Sequence, residues 1–356
     1  MPEASSKGRL PRGRSALLAW ALGAAGVAVF AWALSRIDFA AFLHALANAN
    51  GAFVALVPAA ILFEQWVRAA KWRLLLAQLG SARLSRVFAA NMASSLANFV
   101  VPVAGAPIVR SWLIARCEGL PFASVFATIA VDRLVDGVAF VALAAAAIVL
   151  IGVPQSAESL HGGLIAAAAG STAILAVLVA LLGVFRRTVR MGGAGTRRLV
   201  GWVPARLRER AHALLDGLAD GAAWPGSPAR AAAIVLLALG IKALAITHLL
   251  WAGLALGVSL GIAQYVLLMV LLGFVVVLAR FVRIPGGFLL AATFLLELLG
   301  VDRERALAMA LIVQVSAIVS VSAAGAVSLA WFGAELRELK ALYASGTFRR
   351  PARGSE

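Results

Sequence analysis

Cysteine is almost missing from this chain: the single Cys117 excludes an internal disulfide and a cysteine-based metal cluster. Charge is scarce too, with 13% of the 356 residues being Asp, Glu, Lys or Arg, against roughly 25% in soluble domains. The glycine-rich stretch GGAGTRR (192–198) lacks the Lys-Ser/Thr pair of a phosphate-binding loop, so ATP-driven work has no support. Two connecting stretches, 154–163 and 257–261, contain no Lys or Arg at all.

What fills the chain is apolar. Hydrophobic residues make up 62% of it and the mean hydropathy is +0.95, which together specify an all-α, polytopic membrane protein. The formal net charge of +16 does not point to nucleic acid. The basic residues gather in short polar segments between apolar runs, where the positive-inside rule expects them.

A membrane-spanning helix needs about 20 mostly apolar residues. Residues 15–34 meet this and follow Lys7, Arg9, Arg12 and Arg14, which predicts a cytoplasmic tail over 1–14 and an uncleaved first span, the apolar run being too long for a signal peptide. Phe39, Phe42, Leu43 and Leu46 recur at helical spacing after Asp38, so 38–49 is expected to be a short helix, either lying on the outer interface or simply connecting spans. Residues 51–67 read as the second span, with Arg68, Lys71, Arg73, Arg83 and Arg86 marking a cytoplasmic segment behind it. Residues 87–109 leave that side, and Arg110 and Arg116 return to it. This predicts a re-entrant hairpin broken at Pro102, Gly105 and Pro107. A long helix over 121–153 and a return span over 163–185 follow.

The polar loop 186–230 holds nine arginines against three acids and is expected in the cytoplasm. Within it Leu207, Ala211, Leu214, Leu215 and Leu218 form one apolar face, fit for an anionic membrane surface or for a solvated loop helix. Residues 231–257 then cross outward. Residues 262–282 and 288–300 form a second hairpin broken at Pro285, Gly286 and Gly287, and 306–333 make the last span before a basic cytoplasmic tail, 334–356. The expectation is about six full spans plus two broken hairpins within one transmembrane domain, 15–333. Its halves, 51–153 and 231–333, form an inverted repeat, the pattern of transporters whose substrate sites lie near the membrane midplane.

Asp132 and Asp136, four residues apart, share a helix face, with Arg133 about 100° away. Charges at mid-depth are costly and face a partner or a wet cavity. With Arg110 and Asn98 they are candidates to receive a lipid headgroup, or else to pin the broken hairpin to the long helix. Arg280 and Arg283 in the second hairpin suit a phosphate bidentately, or snorkel to an interface. Lys242, His248 and Glu64 are weaker candidates, Glu64 being placed at i,i+4 to pair with Arg68, while Asn91 is expected either to bridge helices or to cap broken backbone. No metal and no cofactor are expected.

Four stretches carry a resemblance: Arg68-x-x-Lys71-Trp72-Arg73, Asn98-Phe99-x-x-Pro102-x-x-Gly105-x-x-x-x-Arg110, Asp132-Arg133-x-x-Asp136, and Pro285-Gly286-Gly287. From about residue 15 to 333 the sequence resembles the flippase-like integral membrane family, also described as the transmembrane region of lysylphosphatidylglycerol synthase, and it is similar to a hopanoid-associated branch of it. The resemblance implies two re-entrant hairpins framing a lipid-accessible cavity. Where that family commonly carries acidic residues after the hairpin glycines, this chain has Ala106 and Ala292, which disfavours a cationic lysyl-lipid. The resemblance and the arginines point to a lipid transporter of the bacterial inner membrane rather than an enzyme. Its partner would be an anionic phospholipid, a polyprenyl phosphate or a hopanoid-type lipid, with a homo-oligomer or lipid-biosynthetic enzymes as further partners. The alternative is an enzyme or scaffold of envelope biosynthesis. About 23 residues after the last span are too few for a transferase domain, so synthase activity is not expected.

Overall fold

The computed structural model describes the backbone of residues 38–100, 105–151, 161–191, 204–282 and 286–344. Among these residues there is no strand, and eleven α-helices follow one another. They are α1 (Phe39–Ala47), α2 (Gly51–Leu76), α3 (Leu84–Val100), α4 (Gly105–Glu118), α5 (Phe122–Ala146), α6 (His161–Arg190), α7 (Arg208–Gly221), α8 (Pro228–Ala255), α9 (Ile262–Val282), α10 (Gly287–Leu298) and α11 (Arg303–Ala344). Four of them contain apolar stretches long enough to cross a membrane: Gly51–Leu76, Ile165–Arg190, Pro228–Ala255 and Arg303–Gly333. The predicted first span, 15–34, lies outside the described residues, as do Pro102, Arg283 and Pro285 and the side chains of Asn98 and Arg280.

Local sequence explains the helix ends. The Asp38 carboxylate accepts from the amides of Ala40 and Ala41, at 2.9 and 3.1 Å, and so caps α1. Phe42 is buried while Phe39 and Leu43 are exposed, which gives the short helix one anchored and two outward apolar residues. Gly286 precedes α10 with φ +68°, in the left-handed region where a side chain would be strained.

One boundary differs from expectation in a way that matters. The second span does not stop near residue 67: α2 continues to Leu76 and carries Arg68, Lys71 and Trp72 with it. The cluster of cations after an apolar run imitates the flank of a span. Helix continuation instead turns Lys71 and Trp72 inward, where neither is exposed, and leaves Arg73 outside.

The first predicted hairpin is a helical hairpin. Helices α3 and α4 pack along each other, and their far ends are clasped: Arg86 donates to the Cys117 carbonyl at 3.3 Å and pairs with Glu118 at 3.4 Å, while the Arg83 amide donates to Glu118 at 3.0 Å. The break falls between Val100 and Gly105, so Gly105 and Pro107 sit in the first turn of α4, where a proline's missing N–H costs little. Helices α9 and α10 pack together on either side of the second break.

The described residues form two compact units, one drawn from 38–57, 146–151, 161–167, 248–282 and 286–315, the other from 58–100, 105–145, 168–191, 204–247 and 316–344. In the first, α8 and α9 approach so closely that a Cβ on Gly253 would lie 2.0 Å from the Tyr265 hydroxyl. In the second, a core of Trp72, Leu75, Leu76, Val87, Ile114 and Val125, with Ile234 and Phe332, joins α2, α3, α4, α5, α8 and α11. The close approaches there use glycine: a Cβ on Gly325 would lie 2.7 Å from the Met92 carbonyl oxygen, and one on Gly221 would lie 1.9 Å from that of Ser124. The last turn of α7 is therefore docked on the start of α5, with Ala219 and Gly221 buried, while Leu207 and Leu214 remain exposed.

Candidate functional site: a buried ion network at the helical hairpin

Helical periodicity builds the site. Glu64, Arg68, Lys71 and Trp72 lie at i, i+4, i+7 and i+8 on α2, and Thr128, Asp132 and Asp136 lie at i, i+4 and i+8 on α5, so each set occupies one face. The two faces meet with the helices running in opposite directions. Trp72 Nε1 donates to Thr128 Oγ1 at 2.9 Å. Lys71 Nζ lies 3.0 Å from Asp132 Oδ1 and donates to Asp136 Oδ1. Arg68 donates to Asp136 Oδ2 at 3.0 Å and to Glu64 at 2.5 Å.

The hairpin joins this pair of helices through Arg110 of α4. Its guanidinium carbon stands 4.7 Å from the centroid of the Trp72 ring, one nitrogen donates to Asn91 Oδ1 at 3.3 Å, and another is 3.6 Å from Asp132 Oδ2. Asn91 thus bridges α3 and α4, one of the two roles expected of it. Three carboxylates, Glu64, Asp132 and Asp136, face three cations, Arg68, Lys71 and Arg110. On insertion scales a charge at the helix centre costs about 2.5–3.5 kcal/mol. Mutual pairing is what makes six of them tolerable, and the cation–π contact shields the face of Arg110 that has no carboxylate.

The network is not fully satisfied. Arg68 Nε, Asn91 Nδ2, one terminal nitrogen of Arg110 and Asp132 Oδ1 are buried without a hydrogen-bond partner. Asp132 Oδ1 has Lys71 within ion-pair distance, but the lysine directs its hydrogen bond to Asp136. Donors on two cations that make no hydrogen bond make this a place where an acceptor-rich group would gain contacts.

Residues 17–325 match the family described as Lysylphosphatidylglycerol synthase TM region. The chain belongs to that family. No curated protein and no solved structure matches it.

Within this member of the lysylphosphatidylglycerol synthase TM-region family, the structure sorts the predicted site residues. Arg110, Asp132 and Asp136 come together, with Glu64 paired to Arg68 as its spacing predicted. Arg133 is exposed and stands apart from these contacts, one residue along a helix from Asp132. Lys242 of α8 is half-buried, its Nζ 5.8 Å from the Phe140 ring centroid. Gly105 and Pro107 border the first break, and Gly286 and Gly287 the second. Lys71 and Trp72 are the residues whose part in the site the sequence reading missed. Their signal was present: polar and aromatic residues continue the Glu64–Arg68 spacing past the point where a cytoplasmic flank would begin. Among the described residues no group of three His, Cys, Asp or Glu is placed to hold a metal ion.

Proposed function

We propose that this multi-pass membrane protein is a lipid transporter that carries a phosphate-bearing or polyprenyl/hopanoid-type lipid between leaflets, with α3–α4 as a re-entrant hairpin and the ion network as its polar station. The observation that supports this most is the network itself, six ionised side chains pinning a broken hairpin inside an apolar helical bundle. A buried ion network is a poor means of stabilisation, since packed apolar residues of the same volume are often as stable or more so. Charges within membrane-spanning segments mark substrate or ion paths. Arg68 Nε, and the Arg110 nitrogen that faces Asp132 at 3.6 Å without a hydrogen bond, suit phosphate oxygens, which accept bidentately from guanidinium groups.

On this reading the basic segments, including 186–230 and both termini, face the cytoplasm of a bacterial inner membrane, and movement is passive or ion-coupled. The lipid is an anionic phospholipid, a polyprenyl phosphate or a hopanoid-type lipid. An enzyme using Asp132 or Asp136 as a general base would need one of them free to take a proton, whereas Lys71 and Arg68 hold Asp136, and Lys71 and Arg110 flank Asp132.

The test is leaflet exchange in proteoliposomes with fluorescent phospholipids and polyprenyl phosphates, comparing the native chain with Arg110→Ala and Asp132→Asn at equal reconstitution. Faster exchange by the native chain that monodisperse preparations of both variants lack is the expected result. Exchange no faster than in empty vesicles across all headgroups overturns the reading.

A further inference from the structure

Two cavities lie in the second compact unit, neither lined by a residue of the ion network. The first has a volume of about 420 Å³ and is bounded by α5, α6 and α8, with Val131, Val135, Leu182, Ala238 and Leu239 among its walls. That volume is within the range of about 300–1,000 Å³ typical of ligand pockets. Val138, Val179, Val235, Leu239 and Trp224 line it while staying exposed, so it opens sideways between the helices. Arg186 is its one charged wall residue, and the Arg186 Nε is buried without a hydrogen-bond partner.

The second cavity, of about 440 Å³, is polar, with Gln78, Ser124, Arg190 and Asp220 in its walls. Arg190 follows Arg186 by four residues on α6, about 6 Å along the axis. The same succession holds on α5, where Ser124 lines the polar cavity and Val131 the apolar one, while the loop after α7 borders both, Ala223 the polar and Ala222 and Trp224 the apolar. Two helices, α5 and α6, thus run from the apolar chamber to the polar one, with Arg186 the apolar-chamber residue of α6 nearest the polar end. Arg190 is exposed and paired with Asp220 at 3.4 Å, whereas the Arg186 Nε is a buried donor without an acceptor.

We infer that these two chambers form one binding site for a bilayer phospholipid of net negative charge, its hydrocarbon chain lying in the groove between α5, α6 and α8 and its phosphate accepting from Arg186. The shape and charge order match such an amphiphile and no water-soluble anion, for which the apolar groove would have no use. The inference rests on the lipid-handling reading above and adds to it a location and a headgroup charge. Gly183 lines the groove, and a Cβ on it would meet nothing within 4 Å, so a larger side chain there has room to start into the groove.

The experiment uses the purified full-length chain in mixed micelles and reads quenching of tryptophan fluorescence by lipids brominated on their chains. The Trp224 contribution is isolated by subtracting the signal of Trp224→Phe. Brominated phosphatidic acid is expected to quench that contribution at about tenfold lower mole fraction than brominated phosphatidylcholine, the difference one charge-assisted contact makes. Gly183→Phe is expected to abolish the quenching, and Arg186→Gln to bring phosphatidic acid to the level of phosphatidylcholine. Equal quenching by both lipids, or quenching that survives Gly183→Phe in a monodisperse preparation, overturns the site. Selective quenching without leaflet exchange keeps the site and removes the transport reading, and leaflet exchange without selective quenching does the reverse.

Discussion

Lys71 Nζ stands between two carboxylates of one helix face, 3.0 Å from Asp132 Oδ1 and hydrogen-bonded to Asp136 Oδ1, with no exposure to the surroundings. Replacing it with methionine leaves both carboxylates buried with only the arginines to balance them. Breaking a buried pair by removing one partner costs about 3–5 kcal/mol, so Lys71→Met is expected to lower the thermal midpoint sharply in detergent. Adding Asp132→Asn to that variant removes one stranded charge and should restore part of the loss. A double variant no more stable than the single one would contradict the pairing.

Trp72 acts through two faces of its ring system, the indole N–H to Thr128 and the π face to Arg110. Trp72→Phe keeps an aromatic face but loses the donor, and is expected to cost about 1 kcal/mol. Trp72→Leu loses the cation–π contact too, adding about 1–2 kcal/mol where the cation is desolvated. Thermal unfolding of the two variants side by side should rank them in that order.

Glycine positions separate packing from propensity. Gly221→Ala would drive a Cβ to within 1.9 Å of the Ser124 carbonyl oxygen and is expected to destabilise by about 1–3 kcal/mol or more. Gly240, inside α8, has nothing within 4 Å of a Cβ. Gly240→Ala should instead stabilise by about 0.5–1 kcal/mol, the usual helix-interior gain. Opposite signs in the two midpoint shifts are the expected readout.

The clasp at the base of the α3–α4 hairpin offers a chemical probe, since Arg86 donates to the Cys117 carbonyl and pairs with Glu118, and Cys117 is half-buried and the chain's single cysteine. Arg86→Ala is expected to speed maleimide labelling of Cys117 several-fold under native conditions. A rate unchanged from the native chain would show that the hairpin base is held by other contacts.

Much of this arrangement is legible along the chain. The apolar runs mark the long helices α2, α6, α8 and α11, and the proline and glycine breaks mark where α3 gives way to α4 and α9 to α10. The four-residue spacings of Asp132 with Asp136 and of Glu64 with Arg68 place those pairs on shared faces, because helix periodicity is local. The sequence order of helix, hairpin and long helix recurs in both halves, although the compact units draw residues from each half. What escaped was the inward turn of Lys71 and Trp72. A lysine among arginines after an apolar run reads as a flank, and only the length of α2 decides otherwise.

The sequence by itself determined an all-helical membrane protein, its apolar segments, its breaks and which charges share a face, since these follow from composition and from periods of a few residues. Tertiary structure alone decided which faces meet. It set Lys71 between Asp132 and Asp136, laid Arg110 over Trp72, and left a polar chamber beyond an apolar one along α6. Those outcomes depend on contacts between residues tens of positions apart, where burial of charge is tolerable only once every partner has arrived.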